Sequence, residues 1–156
     1  MYSIEMKNVY AKVETFQLKN INLLIPKGNI IGVLGKNGAG KTTLFKTLLG
    51  THLKYDGHMS LNGYTYESNE KEIRESIAIV HDILNVNPFT KGKRLYHCNK
   101  LIYSFFDDEY FLSLCEEFSI SLDKRMNKMS LGMQKKLSLS IALALRPSIL
   151  LLDEPF

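Results

Sequence analysis

Gly35-Lys36-Asn37-Gly38-Ala39-Gly40-Lys41-Thr42-Thr43 is the stretch on which the reading of this chain turns. It fits the pattern G-x-x-x-x-G-K-[ST], in which glycines let successive backbone N–H groups turn inward on a polyphosphate without Cβ clashes. The flanks suit the loop. Residues 29–34, Asn-Ile-Ile-Gly-Val-Leu, form a β-branched apolar run that predicts a buried strand. Residues 43–49 predict a helix, with Leu44, Leu48 and Leu49 spaced along one side. Strand, loop and helix together bring a positive helix end to the phosphates. All nine residues, Gly35, Lys36, Asn37, Gly38, Ala39, Gly40, Lys41, Thr42 and Thr43, are therefore expected to cradle nucleotide phosphate. Lys41 offers a point charge to the β- and γ-phosphates, and the Thr42 hydroxyl is placed to ligate Mg2+.

The remaining composition is ordinary. At 156 residues, with 45% hydrophobic and 23% charged side chains, the chain has the length and balance of one globular domain. No apolar run reaches the length of a membrane-spanning helix, and the first residues lack a signal-peptide pattern. If a membrane is involved, another chain is expected to cross it. The net charge of +4 is scattered rather than clustered, which reads as solvated surface. Cys98 and Cys115 lie far apart without C-x-x-C spacing, and the four histidines show no metal-ligand spacing. Free thiols in a reducing compartment are expected.

Outward from the loop, residues 4–10 and 16–25 predict strands, closed by the turn Pro26-Lys27-Gly28. Asn62-Gly63 between residues 58–61 and 64–66 predicts a β-hairpin. Residues 77–80 predict a buried strand and 85–93 a loop. Asp107 is a candidate cap for a helix that aligns Tyr110, Phe111, Leu114, Cys115 and Phe118, aromatics expected to pack in a core rather than to bind a base. A second helix is predicted over 130–145, aligning Leu137, Ile141, Ala142 and Leu145, and Pro147 stops it. Residues 149–153 predict an apolar strand that delivers Asp153 to its exposed end, followed by Glu154. Asp153 there can hold Mg2+, and Glu154 can polarise an attacking water as general base.

At this point the sequence resembles the ATP-binding cassette (ABC) family of transporter ATPase subunits, over its whole length. The resemblance rests on GKNGAGKTT, on ILLLDEP, and on Met129-Ser130-Leu131-Gly132-Met133, a variant of the family signature written LSGGQ. It implies an α/β fold of the P-loop NTPase type, with an N-terminal antiparallel β-subdomain. Residues 1–80 and 131–156 would form the nucleotide-binding core, and 81–130 a helical subdomain. Ser130 and Gly132 would contact ATP held by the loop of a second ATPase subunit. Asp82 aligns with a position that reaches Mg2+, where the family has Gln. Tyr10 is the first candidate to stack on adenine and Phe16 the second. The implied cofactors are ATP and Mg2+. The implied partners are transmembrane permease subunits and a second ATPase subunit, homologous or identical, with no nucleic acid. The implied location is cytoplasmic, peripheral on the inner face of the cell membrane.

The signature variant points to an exporter-like cassette. The sequence ends two residues after Glu154, whereas the family continues into a further strand carrying a histidine. An incomplete chain that folds poorly or aggregates by itself is therefore expected. Two alternatives stay open: a nucleotide-binding fragment without turnover, and a cassette serving translation or nucleic-acid chemistry.

Overall fold

The computed structural model describes residues 1–13, 16–51, 54–81 and 86–153. The chain divides into two compact units, Met1–Ile77 and Ala78–Phe156. Among the described residues no helix is long and apolar enough to cross a membrane.

The first unit is built on a three-stranded antiparallel sheet in the order β2-β1-β3, from β1 (Tyr2–Val13), β2 (Phe16–Pro26) and β3 (Tyr55–Leu61). Along β1 the buried apolar residues are Ile4 and Met6, then Val9 and Ala11. That pattern changes parity, and a regular strand would throw one pair to solvent. A bulge resolves the conflict. The register shifts between Met6 and Val9 against β2 and between Lys7 and Tyr10 against β3. Asn8 takes a positive φ of 49° there, and its N–H donates to the Asn22 side-chain carbonyl at 3.0 Å.

Helix α1 (Lys41–Leu48) follows the glycine loop, and α2 (Tyr66–Ser76) follows β3. The hairpin expected at Asn62-Gly63 is only partly formed. Both residues take the positive φ of the turn, but the returning side makes one bridge, Leu61 to Tyr64. Thr65 is already the N-cap of α2, so Tyr66 is helical rather than extended. The charged run after it supplies Glu67 to the first turn and an Arg74–Glu70 ion pair one turn apart.

One sequence expectation is overturned. Residues 29–34 form no strand, and no described strand pairs with them. Ile30 and Leu34 are fully exposed, and Ile31 and Val33 partly so. An extended apolar run becomes a strand only when neighbours accept and donate its backbone hydrogen bonds. Pattern alone does not supply them.

In the second unit β4 (Ile77–Val80) pairs with β5 (Ile149–Leu152). Helices α3 (Gly92–Ile102), α4 (Asp108–Glu117) and α5 (Leu131–Ala144) complete it, with a 3-10 turn at Met126–Lys128. Helix α3 begins within the stretch read as loop. Of the aromatics expected there, Phe111 and Phe118 join the core, while the Tyr110 ring lies against the Arg146 guanidinium at 3.7 Å. Phe111 is wholly buried and stacks on Tyr96, ring centres 4.9 Å apart and planes 3° from parallel. Helix α5 presents two apolar faces rather than the one expected. Leu137, Ile141 and Ala144 join the cluster of Phe106 and Phe111, while Ala142 and Leu139 pack with Ala78 and Val80. A helix apolar on two sides belongs between two layers.

Candidate functional site

The glycine loop is held by its own backbone and by β2. The Ala39 N–H donates to the Lys36 carbonyl at 3.0 Å, and the Leu44 N–H to the Gly40 carbonyl at 2.8 Å, the first turn of α1. Gly40, the N-cap, has φ 94°. A Cβ there would stand 2.5 Å from the ring of Phe16 and 3.3 Å from the Leu18 side chain. Only glycine fits. The start of β2 thus lies directly against the turn into α1.

Among the described residues no side chain caps α1, and its first turn carries no acidic residue. Its leading amides are therefore left to an external acceptor, as anion binding at a helix N-terminus requires. The Lys41 ammonium donates to the Gly35 carbonyl at 2.7 Å and to the Lys36 carbonyl at 3.3 Å, across the mouth of the loop. Thr42 is exposed, whereas Thr43 is buried. Below them the Thr47 hydroxyl donates to the Thr43 carbonyl at 2.8 Å.

Of the two aromatic candidates, Phe16 is the one whose ring lies against the loop. Tyr10 stands in β1 opposite Asp56, past the bulge, and is partly exposed. Tyr66 was not legible as a site residue, because the Asn-Gly signal put it in a strand. It is buried, and its hydroxyl donates to the Leu48 carbonyl at 2.8 Å, at the far end of α1. Burial pushes its phenol up to about 12.

In the second unit Ser130 is the N-cap of α5, its hydroxyl oxygen accepting the Met133 N–H at 3.2 Å. Gly132 has open space around it, and Leu131 is exposed beside it. An open depression of about 310 Å³, walled by Val80, Leu131, Leu139 and Leu152, adjoins this turn. Asp153 follows β5 directly, and its N–H donates to the Val80 carbonyl at 2.9 Å. Asp82 and Glu154 lie outside the described residues.

No cluster of three or more His, Cys, Asp or Glu side chains that could hold a metal occurs among the described residues. Thr42 in the first unit and Asp153 in the second each offer an oxygen donor, the kind that suits a hard cation. They do not suit a soft metal held by a protein cage.

The sequence profile described as ABC transporter matches residues 18–156. The chain is 32% identical over 159 residues to the ABC transporter ATP-binding protein YtrB of Bacillus subtilis, covering 97% of this chain and 52% of that protein. It is also 32% identical over 142 residues to the lantibiotic transport ATP-binding protein SrtF of Streptococcus pyogenes, covering 88% of this chain and 59% of that protein. The chain thus spans between half and two thirds of the length of these relatives. A solved ATP-binding subunit of an ABC transporter superposes with a TM-score of 0.85 at 23% identity, over 98% of this chain and 66% of that one. A putative ABC transporter ATP-binding protein from Pyrococcus furiosus superposes with a TM-score of 0.79 at 24% identity, over 97% and 75%. The likeness to these two structures shows that the chain shares their fold.

Proposed function

The chain belongs to the ABC transporter family, and from that premise we propose that it binds ATP at Gly35–Thr43 as part of a subunit that drives transport through separate membrane-spanning subunits. The observation that supports this most directly is the N-terminus of α1. It is free of capping side chains and of acids, with Lys41 reaching across the loop. A polyphosphate suits that arrangement, since backbone amides, helix dipole and ammonium act on the same charge.

The roles follow from the chemistry of each group. Lys41 and the loop amides hold the phosphates, and Phe16, with Tyr10 as the alternative, carries the adenine. Mg2+, when bound, neutralises charge on the β- and γ-phosphates, and Thr42, Asp153 and Asp82 are the residues that would hold it. Glu154 orients and polarises the attacking water. Ser130 and Gly132 face the γ-phosphate bound by a second ATPase subunit, the Ser130 hydroxyl being compatible with its capping bond to Met133.

In this reading residues 1–80 and 131–156 form the nucleotide-binding core. Residues 81–130 form a helical part that meets the membrane subunits, on the cytoplasmic face of the membrane. The signature variant at Ser130–Met133 favours an exporter-like cassette.

The test is ATP binding and hydrolysis by the chain and by its Lys41→Ala and Glu154→Gln variants. Lys41→Ala is expected to lose binding, and Glu154→Gln to keep binding and lose turnover. Binding that does not depend on Lys41 would remove the basis for the proposal. Lys41-dependent binding without any turnover in the unmodified chain would assign a nucleotide-binding module instead.

A further inference from the structure

We propose that Tyr66 is a positioning residue for the phosphate-binding end of α1, acting through the helix from its opposite end. This rests on the reading of Gly35–Thr43 as a nucleotide site. Helix α1 has eight residues and is only about 12 Å long at 1.5 Å per residue. Helices shorter than about 12 residues are marginal by themselves, so the order of its leading amides depends on what holds its ends.

The last four carbonyls of α1 have no partners within the helix and must find them elsewhere. Three find them locally. The Phe45 carbonyl accepts from the Leu49 N–H and the Thr47 carbonyl from the Gly50 N–H. The Lys46 carbonyl accepts from both the N–H and the hydroxyl of Thr51. The fourth, Leu48, takes the Tyr66 hydroxyl, eighteen residues along the chain. The ring of Tyr66 also lies over Gly50, where a Cβ would come within 2.4 Å of it and φ is 64°. Tyr66 is itself fixed, since the neighbouring Glu67 accepts from the Tyr55 hydroxyl at 2.8 Å.

The helix is therefore braced at both ends by an aromatic ring on a glycine, Phe16 on Gly40 and Tyr66 on Gly50. A short helix gripped in this way moves as one body. Release at the Leu48 end frees the last turn to fray, and the Leu44 amide, about one turn back and bonded to Gly40, loses protection with it. Burial keeps the Tyr66 phenol protonated, and hence a donor, throughout the ordinary pH range.

Tyr66→Phe keeps the ring and deletes the donor. Amide hydrogen exchange is measured first, without nucleotide, and then ATP affinity. Exchange at the Leu44 amide is expected to quicken about fivefold, the factor that loss of one net hydrogen bond implies, while amides of β1 and β3 stay unchanged. ATP affinity is expected to fall by a similar factor. Arg146→Ala, which removes an ion pair in residues 78–156, serves as a destabilised control and should leave ATP affinity unchanged. Faster exchange confined to residues 49–51, with Leu44 and ATP affinity as in the parent, would overturn the proposal. So would a uniform rise that includes β1 and β3, which would make Tyr66 a purely structural residue. A parent chain that binds no ATP would defeat the nucleotide reading, and the Leu44 amide would still decide the coupling.

Discussion

Lys41 donates from its ammonium group to the carbonyl of Gly35, six residues earlier, at 2.7 Å. The glycine loop is thus closed on its own lysine, with a weaker bond to Lys36 beside it. A bound phosphate would compete with those carbonyls for the same ammonium. The carbonyls are neutral acceptors and a phosphate carries full negative charge, so the exchange favours the ligand.

The packing of Phe16 on Gly40 leads to a prediction about the glycine. Gly40→Ala puts a methyl group 2.5 Å from the Phe16 ring at a φ of 94°. It is expected to destabilise the chain by more than ~1 kcal/mol, since both the clash and the left-handed backbone oppose it. A urea titration of the two proteins would measure the difference, and an unchanged midpoint would contradict the packing.

Phe16 also separates the two adenine candidates. Phe16→Ala is expected to weaken ATP about tenfold, within the range for aromatic stacking on a base, while Tyr10→Ala has less effect. Inorganic phosphate or tripolyphosphate, lacking the base, serves as the comparison and should respond less to Phe16→Ala. If Tyr10→Ala is the damaging change, the roles are reversed.

Acid should weaken the second unit through Asp107. Its carboxylate accepts the Tyr110 N–H at 2.9 Å and pairs with Arg146 at 2.8 Å, and the amide first and the guanidinium second hold its pKa below the usual value. A carboxylate whose folded pKa is depressed stabilises above its unfolded value, about 3.9, and that stability is lost as pH falls through the folded one. Asp107→Asn retains a cap and should show a shallower loss on acidification. Thermal melts from neutral pH down to about pH 2 would show it.

The two cysteines should differ sharply toward a thiol reagent. Cys98 is exposed, whereas Cys115 is buried and its thiol is pushed up to about 11 by desolvation. One thiol is expected to react in the native chain at pH 8 and two after denaturation. Rapid reaction of both would show that the Phe111 cluster opens readily.

Much of the local structure was legible because its signals are short-range. Asp107 caps α4 as its position predicts, through a bond to the Tyr110 N–H that closes within three residues. The turn at Asn62-Gly63 forms for the same reason. The strand predicted at 29–34 failed because a strand is a relation between segments, and apolar pattern does not name a neighbour. Tyr66 was misread on similar grounds: the turn before it is a hairpin signal, but the chain goes into a helix after a single bridge.

The sequence by itself determined the chemistry on offer: a glycine loop with its lysine, the Thr42 hydroxyl, a capped α5 and an aspartate after an apolar strand. These depend on residue type and spacing along a few turns of backbone, which local sterics and hydrogen bonding dictate. Only the tertiary structure decided what braces α1, with Phe16 against Gly40 at one end and Tyr66 against Leu48 and Gly50 at the other. Those contacts join residues that are far apart in the chain. Packing chooses them, because close approach of a ring to a backbone depends on where whole elements come to rest.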